Sequence, residues 1–250
     1  MEDRLSRMRL MVGERALKRL QHAHVLVAGC GAVGSFAVEA LARSGIGHLT
    51  IVDNDVVSIT NINRQLVALH STIGQKKVEV ARKRILDIAP DIKVDVTDKL
   101  INSDSVEEIL ACRPDFVVDA IDSLNPKVCL IEALVKAGIP FVSSMGAAMK
   151  THPELVRVAE MKDSYQCPLA AFIRKRLRRR KVALDFPVIY SPEKPDKAYL
   201  RMPDSAGQKS GRLRHEMGSL PTLTGIFGLT AAQVALDYFI KDSSANPQKR

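Results

Sequence analysis

Short apolar runs and amphipathic stretches alternate through the first half of the chain. The predicted strands cover residues 24–29, 48–53, 92–96, 116–120 and 139–143, and the predicted helices cover 33–43, 76–88, 106–112 and 125–137. Most of the strand segments are almost wholly apolar, which is typical of strands buried on both faces. Strands that alternate with helices of this length form βαβ units, so the pattern predicts an α/β fold with a doubly wound, mostly parallel sheet.

The second half of the chain is less regular. Strands are predicted over 155–159 and 186–190, a basic helix over 168–181 and a last helix over 221–240. Residues 191–211 are rich in Pro, Lys, Ser and Gly, so we expect a long, mobile loop there. This order predicts a mixed or antiparallel extension after the parallel sheet, and 250 residues suffice for one large domain.

The charge balance favours an anionic partner. The chain has 37 Lys and Arg against 28 Asp and Glu, a net charge of +9, and its calculated pI is about 9.5. A compact domain with this charge attracts nucleic acid, an acidic membrane surface or phosphorylated ligands. A hydrophobic share of 46% with 26% charged residues excludes a disordered tail, a collagen-like fibre and a multi-span membrane protein.

Cysteine spacing and apolar stretches bear on the compartment. The four cysteines lie far apart and form no CxxC pair, so we expect neither a disulfide framework nor a zinc site. This cysteine usage is typical of a protein in the reducing cytoplasm. The N-terminus is too charged for a signal peptide. Residues 217–236 carry no charge and are long enough to cross a bilayer, but they include Ser, Thr, Pro and Gln. We therefore expect a core or subunit-interface helix and no stable membrane span.

A glycine-rich segment follows the first predicted strand and opens the next predicted helix. Gly29, Gly31 and Gly34 have the GxGxxG spacing, which lets a phosphate approach the backbone at a helix N-terminus. Asp53 ends the following strand, where a carboxylate accepts hydrogen bonds from ribose hydroxyls. The pattern predicts a Rossmann-like fold that binds an adenine nucleotide, with NAD as the commonest occupant. The alternative is that the glycines serve only helix-on-sheet packing.

The polar residues that follow Asp53 favour a triphosphate over a nicotinamide. A second carboxylate, an amide, a guanidinium, a lysine at a helix start and an acid after the fourth strand occur in turn, at Asp55, Asn61, Arg64, Lys77 and Asp122. Arg64 and Lys77 can neutralise the charge on a departing pyrophosphate, and Asp122 can hold magnesium. Taken singly, the two cations could be solvated charges and Asp122 the N-cap of the next helix.

Together these motifs resemble the ThiF/MoeB/ubiquitin-activating superfamily of ATP-dependent adenylyltransferases. The pattern GxGxxG, DxD, NxNRQ, GQxK and DAIDS occurs here in that order, and the resemblance is dense from residue 4 to about 146. It implies a single adenylation domain over 1–250, with a nucleotide-binding half at about 20–146 and a basic, loop-rich substrate half at about 147–250.

The same resemblance implies roles for individual residues. ATP would lie across Gly29, Gly31 and Gly34 with its ribose on Asp53. Arg64 and Lys77 would grip the phosphates, Asp122 would bind Mg²⁺, and Asp55 and Asn61 would lie nearby. The segment RLSR resembles the RxxR start of these proteins. Its second arginine, Arg7, would then reach the triphosphate of the partner subunit, which makes the active unit a homodimer.

Further segments are similar to one subgroup, the tRNA threonylcarbamoyladenosine dehydratases. They are EALARSGIG at 39–47, IDSxxPK at 121–127 and PLAxxxRxxLR at 168–178. The resemblance implies adenylation of the threonine carboxylate of the modified adenosine beside the anticodon, followed by intramolecular ring closure. A sulfur-transfer system of the cysteine-desulfurase type is a further possible partner. The alternative is adenylation of the C-terminal glycine of a ubiquitin-like sulfur carrier, although such activators usually carry two CxxC pairs.

A dense basic segment is the candidate tRNA contact. It contains Arg174, Lys175, Arg176, Arg178, Arg179, Arg180 and Lys181. In a helix these residues place positive charge on most faces, which suits RNA phosphates. The alternative is a solvated face that binds nothing in particular.

Three further alternatives stay open from the sequence. Where the subgroup usually has aspartate before Pro168, this chain has Cys167. A thiol beside a helix start and a basic cluster could be a nucleophile that forms a thioester, or it could be an inert small residue. The chain could also be an NAD-dependent oxidoreductase, or a non-catalytic RNA-binding module that keeps only the fold.

Overall fold

A seven-stranded sheet forms the centre of the protein. The structure is a computed structural model that describes residues 3–201 and 216–241. The strands are β1 His24–Ala28, β2 His48–Val52, β3 Lys93–Thr97, β4 Phe116–Asp119, β5 Phe141–Ser144, β6 Arg157–Glu160 and β7 Pro187–Tyr190, with a separate pair of β8 Leu200–Arg201 and β9 Glu216–Met217. The helices are α1 Ser6–His22, α2 Gly34–Arg43, α3 Lys77–Ile88, α4 Val106–Leu110, α5 Leu124–Ala137, α6 Pro168–Arg179 and α7 Pro221–Ile240.

The predicted sheet is confirmed, and its strand order is β3-β2-β1-β4-β5-β7-β6. Strands β1 to β5 and β7 run parallel, and β6 pairs antiparallel with β7 at one edge. The extension in the second half therefore continues the same sheet. Because parallel strands end at one edge, the loops after β1, β2, β4, β5 and β7 meet there, where ligands bind in open α/β sheets.

Helices cover both faces of the sheet and bury two apolar layers. Side chains of α1, α2, α3 and α7 pack on one face, with Leu41 and Phe227 among the fully buried residues. Side chains of α4, α5 and α6 pack on the other, with Ile131 and Ile173 fully buried. Burial on both faces explains why the central strands contain so few polar residues.

Helix α1 is an element that the hydrophobic pattern did not predict. Its buried residues are Ala16, Leu17 and Leu20, and they stand among many charged residues. The backbone leaves helical geometry at Gly13, with φ 78° and ψ 164°. The second segment is held by tertiary contacts, since Arg19 donates to the main-chain carbonyls of Phe239 and Ile240 at 2.7 Å each.

The prediction of one loop over 191–211 is wrong in part. Asp196 begins a short 3₁₀ turn at Lys197–Tyr199, and β8 follows and pairs with β9. Residues 202–215 lie outside the described residues, so the rest of the predicted loop stays a prediction. The basic helix is also shorter than predicted, because α6 ends at Arg179 and Lys181 has a left-handed φ of 57°.

Helix α7 is the uncharged helix noted in the sequence. In the part of the chain that the structure describes, it is the one helix long and apolar enough to cross a membrane, and half of its apolar window is buried. It packs against α1, α2, β4 and β5. A Cβ at Gly228 would lie 2.3 Å from the Val33 carbonyl oxygen, so the glycine permits close contact with α2. The apolar composition of α7 is therefore explained by its packing in the protein core.

Two histidines stack at the amino-terminal edge of the sheet. His24 and His48 are paired in register on β1 and β2, with ring centroids 3.6 Å apart and ring planes 8° from parallel. Burial, and then the charge of His48, lowers the pKa of His24 to about 4. The folded protein therefore keeps His24 neutral at pH values where an unfolded chain protonates it.

Stability is expected to fall between pH 6.5 and 4 because of His24. In this range the unfolded chain takes up a proton at a pKa of about 6.5 and the folded protein does not, so acid favours unfolding. Since His24 is only half-buried, we expect a loss of about 2 kcal/mol, below the full value of the pKa shift. Urea unfolding of wild type and His24→Gln at several pH values measures it. The exposed His22→Gln is the control, and an unchanged pH dependence in His24→Gln would contradict the assignment.

Candidate active site

The glycine loop lies between β1 and α2 at the carboxyl edge of the sheet. Gly29 has a φ of 92°, and a Cβ at Gly34 would lie 1.7 Å from the Gly29 carbonyl oxygen. A side chain at position 34 is therefore excluded by the backbone itself. The first amide groups of a helix that follows such a loop can bind a phosphate.

Asp53 joins the end of β2 to this loop. Its Oδ2 accepts a hydrogen bond from the Cys30 amide at 2.7 Å, and its Oδ1 accepts one from the Asp55 amide at 2.8 Å. Burial raises the pKa of Asp53, and the nearby charge of Lys77 acts in the opposite direction. Each carboxylate oxygen keeps a lone pair that can accept from a ribose hydroxyl.

Cys30 itself serves packing. It is fully buried in the apolar layer against α2, and burial raises the pKa of its thiol to about 12. The thiol is therefore protonated at neutral pH and is unreactive.

Lys77 is a buried cation that ends at an exposed carboxylate. Its Nζ lies 2.7 Å from Asp55 Oδ2, and the side chains are 6% and 64% exposed. The Lys77 amide also donates to the Asp55 carbonyl at 3.1 Å, which ties the start of α3 to the segment after β2. The idea that Lys77 is a solvated charge is therefore wrong. The pair joins a buried cation to a carboxylate at the protein surface.

Arg64 lies on a structured loop between β2 and α3. Its Nη1 donates to the Thr60 carbonyl and to Asn63 Oδ1, both at 2.8 Å. Asn61 Oδ1 accepts from the Ser58 amide at 3.0 Å and so helps to close the turn. The Leu66 amide donates to Ser35 Oγ at 3.1 Å, which joins this loop to the start of α2. Arg64 is thus oriented by its own loop.

Gln65 is a residue of this site to which the sequence analysis assigned no role. Its side chain is buried, with a relative exposure of 8%. A Cβ at Gly31 would lie 3.7 Å from its Nε2. Among the described residues, its Oε1 is the one buried side-chain polar atom without a hydrogen-bond partner. Such an atom is costly unless a ligand or water satisfies it. Its place inside the NINRQ segment, beside Arg64, was the available sequence signal.

A buried ionic network holds the end of β4. Asp119 Oδ2 accepts from Lys127 Nζ at 2.7 Å and from Ser143 Oγ at 2.6 Å, and neither charged side chain is exposed. Burial lowers the pKa of Lys127, and the Asp119 carboxylate opposes that effect. The Ile121 amide donates to Asp119 Oδ1 at 3.2 Å. The network therefore orients the loop that leads to Asp122.

Asp122 is an exposed carboxylate at the start of α5. The N-cap of that helix is Ser123, without a side-chain capping bond, so the alternative that Asp122 caps the helix is wrong. Ser123 Oγ donates to Asp122 Oδ1 at 3.1 Å. No group of three His, Cys, Asp or Glu that could hold a metal occurs within the described ranges. One carboxylate fits Mg²⁺ that takes most of its other ligands from phosphates and water.

The same edge of the sheet continues into the second half. Lys150 is 2% exposed, and its Nζ donates to the Ser191 carbonyl at 2.7 Å. Burial lowers the pKa of Lys150, and the electrostatic interactions with Cys167 and Glu193 act in the opposite direction. Cys167 is buried at the N-cap of α6. A thiol in that position cannot meet a carrier protein without local opening, which disfavours the thioester alternative.

The seven cations of the basic segment fall into two groups. Arg174 donates to Ser164 Oγ, Arg176 to Asn125 Oδ1 and Arg180 to Glu132 Oε2. The remaining four are exposed and have no partner in the part of the chain that is described; they are Lys175, Arg178, Arg179 and Lys181. The second group is available to an anionic partner.

Arg7 lies apart from the other predicted site residues. It is exposed on α1 and makes no contact with the glycine loop within the described chain. Leu10 and Met11, three and four residues further along the helix, are 87% and 83% exposed. The structure thus brings together Gly29, Gly34, Asp53, Asp55 and Lys77 by direct contacts, with Arg64 on an adjoining loop, and leaves Arg7 outside.

Comparisons with known proteins agree with this geometry. The sequence profile of the ThiF family matches residues 3–250. A tRNA threonylcarbamoyladenosine dehydratase of Bacillus subtilis is 41% identical over 195 residues, which is 78% of this chain and 77% of that protein. The crystal structure of Escherichia coli tRNA N6-threonylcarbamoyladenosine dehydratase in complex with ATP has a TM-score of 0.84 at 34% identity, covering 95% of this chain and 93% of the other. Its complex with AMP has a TM-score of 0.84 at 33% identity, covering 95% and 94%.

Proposed function

The chain belongs to the ThiF family, and from that premise we propose that it is an ATP-dependent tRNA threonylcarbamoyladenosine dehydratase. The enzyme activates the threonine carboxylate of the modified adenosine beside the anticodon and closes a ring with loss of water. The observation that carries the proposal is the convergence of the glycine loop, Asp53, Lys77 and Arg64 at one sheet edge, together with whole-chain similarity to a dehydratase solved with ATP.

The first step forms an acyl-adenylate. A carboxylate oxygen of the substrate attacks the α-phosphorus of ATP, the bond to the β-phosphate oxygen breaks, and pyrophosphate leaves. Lys77 and Arg64 neutralise the charge that grows on the departing pyrophosphate. When Asp122 holds Mg²⁺, the ion supplies further neutralisation of the phosphates. The carboxylate has then gained AMP, which is a far better leaving group than oxide.

The second step needs no protein nucleophile. The carbamoyl group of the same nucleoside attacks the acyl carbon, AMP leaves, and the proton of the attacking group is lost to solvent or a nearby base. Because both groups belong to one nucleoside, proximity favours ring closure over reaction with another molecule. Water must be excluded, since it would hydrolyse the acyl-adenylate.

The site residues have distinct proposed roles in binding ATP. Gly29, Gly31 and Gly34 let the phosphates approach α2, and Asp53 accepts from the ribose. Asp55 releases Lys77 to the triphosphate, and Asn61 shapes the loop that carries Arg64. We add Gln65, because its unpaired amide oxygen beside Gly31 marks a place where a ligand or its bound water completes the hydrogen bonding.

We propose that the active unit is a homodimer. Among the residues that the structure describes, Arg7 contacts none of the predicted phosphate-binding residues, and the neighbouring Leu10 and Met11 are 87% and 83% exposed. Exposed apolar side chains next to an unpaired arginine suit a subunit contact. A partner copy placed there would present Arg7 to the other site. We further propose that residues 1–250 act as one adenylation domain and that the protein works in the cytoplasm, where its tRNA substrate resides.

One assay tests the substrate assignment. The protein is incubated with ATP and either tRNA that carries threonylcarbamoyladenosine or a ubiquitin-like carrier that ends in Gly-Gly. Pyrophosphate release is expected with the tRNA, and mass spectrometry of its nucleosides should show a product lighter by one water. Unmodified tRNA is the control. Pyrophosphate release with the carrier alone would show that the carrier activator, the alternative from the sequence, is the correct function.

A further inference from the structure

The outward face of α6 combines an aromatic ring with free positive charge. Successive helix residues are rotated by about 100°, so Phe172, Lys175 and Arg179 fall on one stripe. The buried residues of this helix, Ala170, Ile173 and Leu177, lie on the opposite side. The stripe is therefore directed to solvent along more than one turn of the helix.

Phe172 is exposed to an unusual degree for a phenylalanine. Its side chain is 58% exposed, and no aromatic ring contacts it among the residues that the structure places. Lys175 and Arg179 are exposed and unpaired on the same stripe, whereas the flanking Arg176 and Arg180 are bound to α5. An exposed apolar ring followed by two unpaired cations one and two turns further along the helix serves neither the core nor a local ion pair.

We propose that this stripe binds an unpaired nucleotide of the tRNA, with its base stacked on Phe172 and successive phosphates on one side of that base bound to Lys175 and Arg179. Unpaired bases in RNA loops can stack on aromatic side chains, and cations near the ring can bind the phosphate backbone. The inference rests on the proposed function, because it assigns part of the substrate to a surface outside the catalytic edge.

The position of α6 connects this stripe to the catalytic edge. The N-cap residue of the helix, Cys167, packs beside Gly146 just after β5. Two residues earlier, Tyr165 is 48% exposed and its ring rests on Tyr190, the last residue of β7, at 5.7 Å between centroids. An RNA loop whose modified nucleoside enters the site can therefore extend along α6 past Tyr165 to Phe172.

The charge of the stripe favours RNA over a second copy of the chain. A two-fold contact through this face would set Lys175 and Arg179 against the same residues of the partner, and like charges would repel. An acidic protein would satisfy the cations but has no general use for an exposed aromatic ring at the end of the stripe. An RNA loop uses both features at once.

Filter binding of an anticodon stem-loop that carries threonylcarbamoyladenosine tests the proposal. Phe172→Ala is expected to raise Kd about tenfold without changing the salt dependence, because the loss is stacking. Lys175→Ala and Arg179→Ala should each weaken binding and lower the slope of log Kd against log salt by about 0.7. Phe172→Trp should retain affinity, whereas Phe172→Leu, which keeps an apolar side chain, should bind like Phe172→Ala.

Arg84→Ala is the matched control, because Arg84 is an exposed arginine on α3, at the other face of the sheet, and is paired with Glu39; its Kd and salt slope should match wild type. The inference is overturned if Phe172→Ala binds the stem-loop as tightly as wild type. It is equally overturned if the variants bind the stem-loop as wild type does and lose only dimerisation, measured by light scattering. The same holds if they lose only binding to an acidic protein partner. If wild type itself fails to dehydrate the modified tRNA, the proposed function is wrong, and that result is separate from the stacking readout.

Discussion

Replacing Lys77 with methionine is expected to lower the rate of pyrophosphate release by about a hundredfold to a thousandfold. The side chain of Lys77 is buried, and its ammonium group ends beside Asp55, at the edge where the triphosphate is proposed to lie. A charge held in place before the reaction stabilises developing negative charge without reorganisation, which is why its loss affects rate so strongly. Single-turnover pyrophosphate release with the modified tRNA measures the effect.

The variant should fold normally. Methionine fills the space of the buried lysine stem, and Asp55, at 64% exposure, stays solvated when its partner is removed. An exposed carboxylate that loses an ion pair costs little stability. A melting temperature close to wild type, with tRNA binding retained, therefore accompanies the loss of rate.

The neighbouring Lys76→Met is the matched control. Lys76 is exposed and pairs with Asp98, so its loss should leave the rate unchanged. Equal rates for Lys77→Met and wild type would show that the phosphates lie elsewhere. Equal losses in both variants would point to a general effect of charge.

Replacing Lys127 with methionine is expected to destabilise the protein by about 4 kcal/mol. The substitution leaves the carboxylate of Asp119 completely buried without its counter-charge, and only Ser143 Oγ and the Ile121 amide remain as donors. For a chain of this size the melting temperature should fall by about 10 °C. Differential scanning calorimetry measures the loss.

Two variants separate this effect from a general loss of charge or packing. Adding Asp119→Asn to Lys127→Met removes the unpaired charge and should recover at least half of the lost stability. Lys136→Met removes an exposed cation on the same helix, paired with Glu132, and should change stability little. If Lys127→Met melts within a degree or two of wild type, Asp119 and Lys127 do not form a buried ion pair in the folded protein.

Most of the sheet and the core helices could be predicted from the sequence. Strands β1, β2 and β4 are buried on both faces, so their apolar composition is a direct consequence of their place in the fold. Gly29 and Gly34 were also readable, because the backbone contact at that turn excludes a side chain. These signals are local: each depends on a few consecutive residues and the period of one element.

Helix α1 and the pair of β8 and β9 could not be predicted in this way. Only Ala16, Leu17 and Leu20 of α1 are buried, and its charged residues hide a narrow apolar stripe. The helix is stabilised by packing on α7 and by Arg19 at the α7 C-terminus. Strand β8 is two residues long, and its pairing depends on a segment that follows it only after many residues.

The sequence by itself determined the fold class, the nucleotide loop and the residue types that gather at the carboxyl edge of the sheet. Only the tertiary structure decided their partners. It buried Lys77 against Asp55, left the Gln65 oxygen unpaired, enclosed Asp119 with Lys127, and divided the basic segment into bound and free cations. The physical reason is that a periodic pattern encodes which face of an element is buried. The partner of a polar atom depends instead on which distant segments the strand order brings within about 3 Å of it.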